Sequence, residues 1–211
     1  MSKKIILLVL LFSLTLLNAN EENNSSKPIV KKSSWGIEIN PFRLPYSIFG
    51  PSFSAGVNYF DYEDNFEISL PLTYNSSTVD RSYWNYGEGY NDSKYDYDEV
   101  DINLDLHFRK FLTSKVGDIY LGVFGRYTYL EGKLEDDYRL AKIHKFGLGI
   151  EVGFKVMGLF NGSPLYWGMS LGVGRYFSKN NGIFDVHGIS LYMDDRQDFV
   201  DIEVLKLGYE F

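Results

Sequence analysis

The amino-acid sequence predicts an all-β chain, a closed antiparallel up-and-down transmembrane barrel of eight strands. Three observations predict it. The chain ends Leu205-Lys206-Leu207-Gly208-Tyr209-Glu210-Phe211, which puts Leu205, Leu207, Tyr209 and Phe211 on one strand face and Lys206, Gly208 and Glu210 on the other. A terminal aromatic on an alternating strand suits a barrel whose last strand must close and whose aromatic side chains sit at a membrane interface. From Trp35 onward, period-2 segments follow one another with no amphipathic helix between them. The connections between these segments alternate in length, roughly 5 to 8 residues after the second, fourth and sixth and roughly 10 to 22 after the others, the rhythm of short inner turns and long outer loops.

The start of the chain has the form of an export signal. Lys3 and Lys4 precede an apolar run from Ile5 to Leu17, and Ala19 offers a small residue for cleavage. Such a run is too short to span a bilayer as a helix, so residues 1–19 are expected to be a signal peptide and 20–33 a polar, flexible periplasmic leader, with the barrel over 34–211. The formal net charge is −7, and loss of Lys3 and Lys4 makes the remainder more acidic still. No basic patch exists to neutralise phosphates, which argues against nucleic acid as a partner. There are no cysteines, so a closed ladder of backbone hydrogen bonds is expected to hold the fold. Mean hydropathy is only −0.19, as expected when every second strand residue faces a polar lumen.

The strands follow in order. The first is Trp35–Asn40, with Trp35, Ile37 and Ile39 on one face. The second carries Phe53, Ala55, Val57 and Tyr59, the third Phe66, Ile68, Leu70, Leu72 and Tyr74. Pro71 falls on the lumen side of the third and predicts a local ladder defect, because it has no N–H to donate. The fourth alternates Val100, Ile102, Leu104, Leu106 and Phe108 with Asp101, Asn103, Asp105, His107 and Arg109. The fifth runs from Ile119 to Tyr129. The sixth sets Phe146 to Val156 against Lys145, Gly147, Gly149, Glu151, Gly153 and Lys155, and the seventh sets Leu165, Trp167, Met169, Leu171 and Val173 against Tyr166, Gly168, Ser170, Gly172 and Gly174. In the eighth, Val200, Ile202 and Val204 are out of phase with the closing residues, which predicts a bulge near Glu203. A hairpin hidden in Gly182 to Met193 would raise the strand number to ten.

The export signal, eight alternating strands, alternating connections and terminal aromatic together resemble the small bacterial outer-membrane β-barrels of the OmpA/OmpX type, over residues from about 34 to 211. The closing Leu207, Tyr209 and Phe211 are similar to the sorting signal that the barrel-assembly machinery reads. The resemblance implies insertion by that machinery, outer-membrane lipid and lipopolysaccharide as surroundings, and periplasmic termini. It implies no cofactor.

An eight-stranded barrel has an interior that side chains can fill. The inward set includes Asp101, Asn103, Asp105, His107, Arg109, Arg126, Glu151, Lys155, Lys206 and Glu210. Mixed signs in so narrow a space predict a salt-bridged plug, since unpaired buried charge is costly. The inward glycines of the sixth and seventh strands are expected to leave room for long Arg and Lys side chains, or for a small cavity that would make the barrel a channel for hydrophobic or ionic solutes. Trp35, Phe66, Tyr74, Phe108, Tyr127, Tyr129, Trp167, Tyr209 and Phe211 face outward as interface anchors.

The segment Asn75 to Asp98 reads as a long outer loop. It holds Tyr83, Trp84, Tyr86, Tyr90, Tyr95 and Tyr97 among acidic residues, a composition suited to recognising an extracellular ligand or host surface. The acidic run from Asp96 to Asp101 lacks the spacing of a calcium loop and reads as a solvated rim, so no metal site is expected. A lipid A-modifying enzyme of the deacylase kind would need a His-x-Ser pair. His187-Gly188-Ile189-Ser190 has one residue too many, which sets the two on opposite strand faces. No catalytic residues are assigned.

Overall fold

The computed structural model describes residues 32–44, 52–83, 93–113, 116–134, 140–160, 162–177, 183–186, 189–192 and 197–211. The expected signal peptide and nearly all of the leader lie outside these residues. Among the described residues there are ten strands: β1 (Ser33–Leu44), β2 (Ser52–Asp61), β3 (Phe66–Tyr83), β4 (Ser93–Phe111), β5 (Ile119–Leu134), β6 (Leu140–Met157), β7 (Leu165–Tyr176), β8 (Ile183–Val186), β9 (Ile189–Tyr192) and β10 (Asp198–Glu210). Eight of them close a barrel in the order β1-β10-β7-β6-β5-β4-β3-β2, every neighbouring pair antiparallel. β8 and β9 make a separate two-stranded sheet. The hairpin considered within Gly182 to Met193 therefore exists, but outside the barrel wall.

Closure is made by the two ends of the described chain. Gly36 pairs with Glu210 and Ile39 with Leu207. Phe211 N donates to Trp35 O at 2.8 Å, so the last residue is tied into the first strand. Backbone groups next to hydrocarbon have no water to bond, which is why a spanning sheet has to close on itself.

The period-2 pattern sets what each face meets. Outward residues such as Phe146, Leu148 and Ile150 are 60%, 59% and 62% exposed, whereas inward Asp105 and Arg109 are 1% and 2% exposed. Apolar side chains outside and ionic ones inside invert the plan of a water-soluble domain. An exposed apolar belt wrapping a whole molecule needs hydrocarbon, not water, around it. One expected anchor behaves differently: Trp167 has an outward position but is buried, its ring edge-on to Phe154 at 5.1 Å.

Two irregularities fall where the sequence places them. From Glu203 to Lys206, β10 advances three residues while β7 advances two, from Ser170 to Gly168. This one-residue bulge lets Phe199, Asp201 and Glu203 point inward above it and Lys206 and Gly208 point inward below it. On β3, pairing with β4 lapses between Ser69 and Leu72, at Leu70 and Pro71, while pairing with β2 continues through Gly56 opposite Pro71.

The expected rhythm of short and long connections needs correction. Several stretches taken as outer loop are paired strand. β3 and β4 remain in register up to Tyr83 opposite Ser93, and β5 and β6 up to Lys133 opposite Leu140, leaving only 84–92 and 135–139 between those strands. Asymmetry lies instead in strand length: β3, β4 and β6 have 18, 19 and 18 residues, against 10 for β2. About ten residues suffice to cross a bilayer, so the remainder extends as hairpin. The extensions of β3 and β4 are rich in polar residues such as Asn75, Ser76, Ser77, Thr78, Asp96 and Asp98, which is why hydrophobic alternation did not mark them.

Candidate functional site in the barrel interior

Side chains fill the described interior in layers, starting from the end where turns 62–65, 112–118 and 158–164 connect the strands. The first layer is aromatic: Phe60, Phe111, Val116, Tyr120 and Tyr166, with Tyr62 and Met157 packed against it. Phe60 meets Tyr166 edge-on at 5.6 Å, and Phe111 meets Tyr120 likewise at 5.6 Å. Glycines on facing strands make room for these rings. A Cβ at Gly208 would lie 2.0 Å from Tyr166 Cζ, and one at Gly153 would lie 2.4 Å from Tyr120 Oη. This corrects the expectation that inward glycines accommodate Arg and Lys: on β6, β7 and β10 they chiefly accommodate aromatic rings, and no small cavity is needed to explain them.

Cations seal the top of this layer. Lys155 Nζ sits 4.7 Å from the Tyr166 ring centroid and 5.1 Å from that of Phe60, and Arg109 Cζ lies 5.2 Å over Tyr120. The same cations anchor a buried ionic layer. Lys155 Nζ lies 2.7 Å from Glu67 Oε1 and 2.8 Å from Glu38 Oε2. Arg109 Nη1 donates to Glu67 Oε1 at 2.7 Å and its Nε to Glu151 Oε1 at 2.8 Å. His107 Nδ1 lies 2.7 Å from that same Glu151 oxygen. Asn58 Nδ2 donates to Tyr166 Oη at 2.6 Å and to Glu38 Oε2 at 3.2 Å, linking the ionic layer to the aromatic one. Lys206 pairs with Glu203, which also accepts from Ser170 Oγ at 2.6 Å.

A second ionic group lies further along. Arg126 grips Asp105 with two hydrogen bonds, Nε to Oδ1 at 2.7 Å and Nη2 to Oδ2 at 2.6 Å, and Nη2 also reaches Asp201. Its guanidinium carbon lies 4.4 Å from the Phe199 ring centroid and 5.4 Å from that of Phe124. Phe124, Tyr176 and Phe199 pack as a cluster around it. His107 stands between the two ionic groups, stacked on Phe124 at 4.8 Å, its Nε2 3.7 Å from Asp105. Asn75 Nδ2 donates to Asp101 Oδ2 at 3.4 Å, and Lys145 Nζ lies 5.2 Å over the Tyr176 ring.

Each of the ten interior residues named from sequence is placed on the inward face, Asn103 among them, where it accepts from Thr128 Oγ1. His107, Arg109 and Glu151 make direct contact with one another, and Lys155 joins them through Glu67. Arg126 pairs with Asp105. Lys206 is bonded to Glu203, Asp101 to Asn75, and Glu210 lies apart at the turn end, where Tyr62 Oη donates to its Oε1 at 2.5 Å. Burial and that bond hold the Tyr62 hydroxyl above its usual pKa. Glu38, Glu67, Asp201 and Glu203 complete the ionic groups and were not singled out from sequence. The signal was the same alternation, read only on the outward side of β1 and β3 and interrupted on β10 by the bulge at Glu203.

Among the aromatic residues expected in a recognition loop, Tyr83 lies on β3 opposite Ser93, and Tyr95 and Tyr97 lie on β4 opposite Arg81 and Val79. These are hairpin positions rather than loop ones. Trp84, Tyr86 and Tyr90 lie outside the described residues, as does His187. Leu207, Tyr209 and Phe211 all present exposed side chains on the outer face.

No protein-family model matches the chain, and no curated protein does. Among solved structures it is similar to a major outer membrane protein from Thermus thermophilus, with a TM-score of 0.60 and 15% identity over 86% of this chain and 100% of that one. Neisserial surface protein A aligns over 85% of this chain and 96% of its own at a TM-score of 0.45 and 10% identity. The likeness to the Thermus protein and the closed eight-stranded wall give the described residues the fold of a small outer-membrane β-barrel, as the sequence resemblance implied.

Proposed function

We propose that this chain is an integral outer-membrane protein whose lumen is plugged by its own side chains, and that its role is structural or lies in surface interaction through the hairpins that project from the barrel. The observation that carries the plug is the interior ionic layer. Arg109, Lys155, Glu67 and Glu151 are all buried and held to one another at 2.7 to 2.8 Å, between two aromatic clusters. Conducting ions would have to break such pairs in a poorly solvated space. The turns 62–65, 112–118 and 158–164 lie at the same barrel end as Trp35 and Phe211, which supports periplasmic termini. No catalytic role is assigned: the His-x-x-Ser spacing of His187 and Ser190 is one residue longer than a lipid A deacylase pair requires.

Purified protein in planar bilayers tests the plug. The reading expects no conductance steps at physiological salt. Regular steps would favour a small channel. For the surface role, replacing residues 84–92 with an Asn-Gly turn should reduce adhesion or phage sensitivity while leaving the protein inserted. Unchanged adhesion and phage sensitivity would remove that part of the proposal.

A further inference from the structure

The outer wall carries a furrow that the plug does not explain. It has a volume of about 920 Å³ and crosses the lipid-facing side from β4 to β10. Its floor includes Gly125 on β5, whose cross-strand neighbours are Leu106 on β4 and Leu148 on β6. The inward glycines are crowded by side chains or backbone pressed against them, on β6, β7 and β10 chiefly by aromatic rings. Gly125 is not: a Cβ there would meet only Leu148 Cδ2, at the ordinary distance of 3.7 Å. Its missing side chain leaves a notch in the apolar belt, and no neighbour among the described residues fills it.

At one edge the furrow is lined by Arg175, the penultimate residue of β7, and Asp198, the first of β10. The Arg175 side chain is 64% exposed. Its Nη2 donates to Gln197 Oε1 at 2.8 Å, and its Nε lies 3.8 Å from Asp198 Oδ1, a loose contact for an ion pair. A guanidinium has five N–H donors and matches phosphate oxygens two at a time. An apolar trough ending at an exposed guanidinium fits an amphiphile with a hydrocarbon chain and a phosphate.

We propose that the furrow binds one phospholipid, with an acyl chain over Gly125 and the headgroup phosphate on Arg175. This rests on the reading of the chain as a membrane barrel. Both positions face outward, so Gly125→Phe and Arg175→Gln should fill the trough and remove the cation without disturbing the interior.

The test is native mass spectrometry of the full chain released from detergent micelles doped with phosphatidylglycerol, with diacylglycerol as the phosphate-free control. Wild type should retain one phosphatidylglycerol and little diacylglycerol. Each variant should lower phosphatidylglycerol retention on the order of threefold to tenfold, the scale of one charge-assisted contact or one lost chain site. Equal retention of the two lipids, or unchanged retention in both variants, would overturn the proposal. So would a protein dimer that Gly125→Phe dissociates, since the furrow would then seat a second copy. A heat-shift gel on the same samples separates this failure from failure of the barrel itself: if wild type shows no shift, the membrane-barrel reading falls first.

Discussion

Around Arg109, each carboxylate is shared between two nitrogen-bearing partners. Glu67 lies 2.7 Å from both Arg109 and Lys155, and Glu151 accepts from Arg109 at 2.8 Å while lying 2.7 Å from His107. Around Arg126 the plan is reversed, with one guanidinium holding Asp105 and Asp201 and aromatic rings packed beside it. The first arrangement gives each carboxylate a second nitrogen partner at 2.7 Å; in the second, one guanidinium bridges two carboxylates, with His107 Nε2 3.7 Å from one of them, Asp105. The interior is therefore expected to fail unevenly. Breaking a buried pair by removing one partner costs about 3–5 kcal/mol. Arg126→Gln should show a loss of that size, read as a shifted midpoint for urea unfolding from phospholipid vesicles. Arg109→Gln should cost less, because Lys155 and His107 remain beside its carboxylates. An equal or larger cost for Arg109→Gln would break the comparison.

The aromatic end layer predicts the next effect. Gly208→Ala would force a methyl group into the Tyr166 ring, and overpacking of this kind typically costs about 1–3 kcal/mol. Combining it with Tyr166→Leu should recover part of that cost, since side chains in contact are not additive. Purely additive losses would show that the ring does not need the glycine. A smaller effect belongs to the turn end. The Tyr62 hydroxyl is held above the usual value of 10.0 by burial and by Glu210. Its raised pKa means that its contribution is complete below pH 10 and is lost as pH climbs above it, when the unfolded chain releases the proton first. Tyr62→Phe should lower the neutral plateau slightly, through loss of the bond to Glu210, and flatten the part of the alkaline decline that begins near pH 10. Least of all should follow from Gly125→Ala on the outer wall, within about 0.5 kcal/mol of wild type. A large loss there would mean that the notch is a packing requirement.

Fold was more legible than site because the two depend on different signals. Alternation in β4, from Val100 to Arg109, records which face meets hydrocarbon, and that single rule orders every wall strand. Bulge and ladder defect were legible as well, since a phase slip at Glu203 and a proline at 71 have local causes. Strand ends were not. Beyond the apolar belt β3 and β4 are rich in polar residues, so pairing as far as Tyr83 and Ser93 leaves no periodic mark. In the interior, sequence reveals who points inward but not who meets whom. Glu67 and Glu38 come from strands far in sequence from Lys155, and only closure of the cylinder brings the three together. The glycine rule was misread for a related reason: a small residue signals a large partner, yet which large residue arrives depends on the strand beside it.

The account rests most of all on closure of the wall by its first and last strands. The chain has no cysteine of its own, so Ile37→Cys and Tyr209→Cys, which face each other across β1 and β10, would give a clean reporter. Strand neighbours lie within reach of a disulfide, about 5.5 Å between Cα atoms. Mild oxidation of the membrane-inserted double variant should produce an intramolecular crosslink, and combining Tyr209→Cys with Val57→Cys on β2 should not. No crosslink at 37 and 209, or one that forms equally well between 57 and 209, would contradict a cylinder closed in this order.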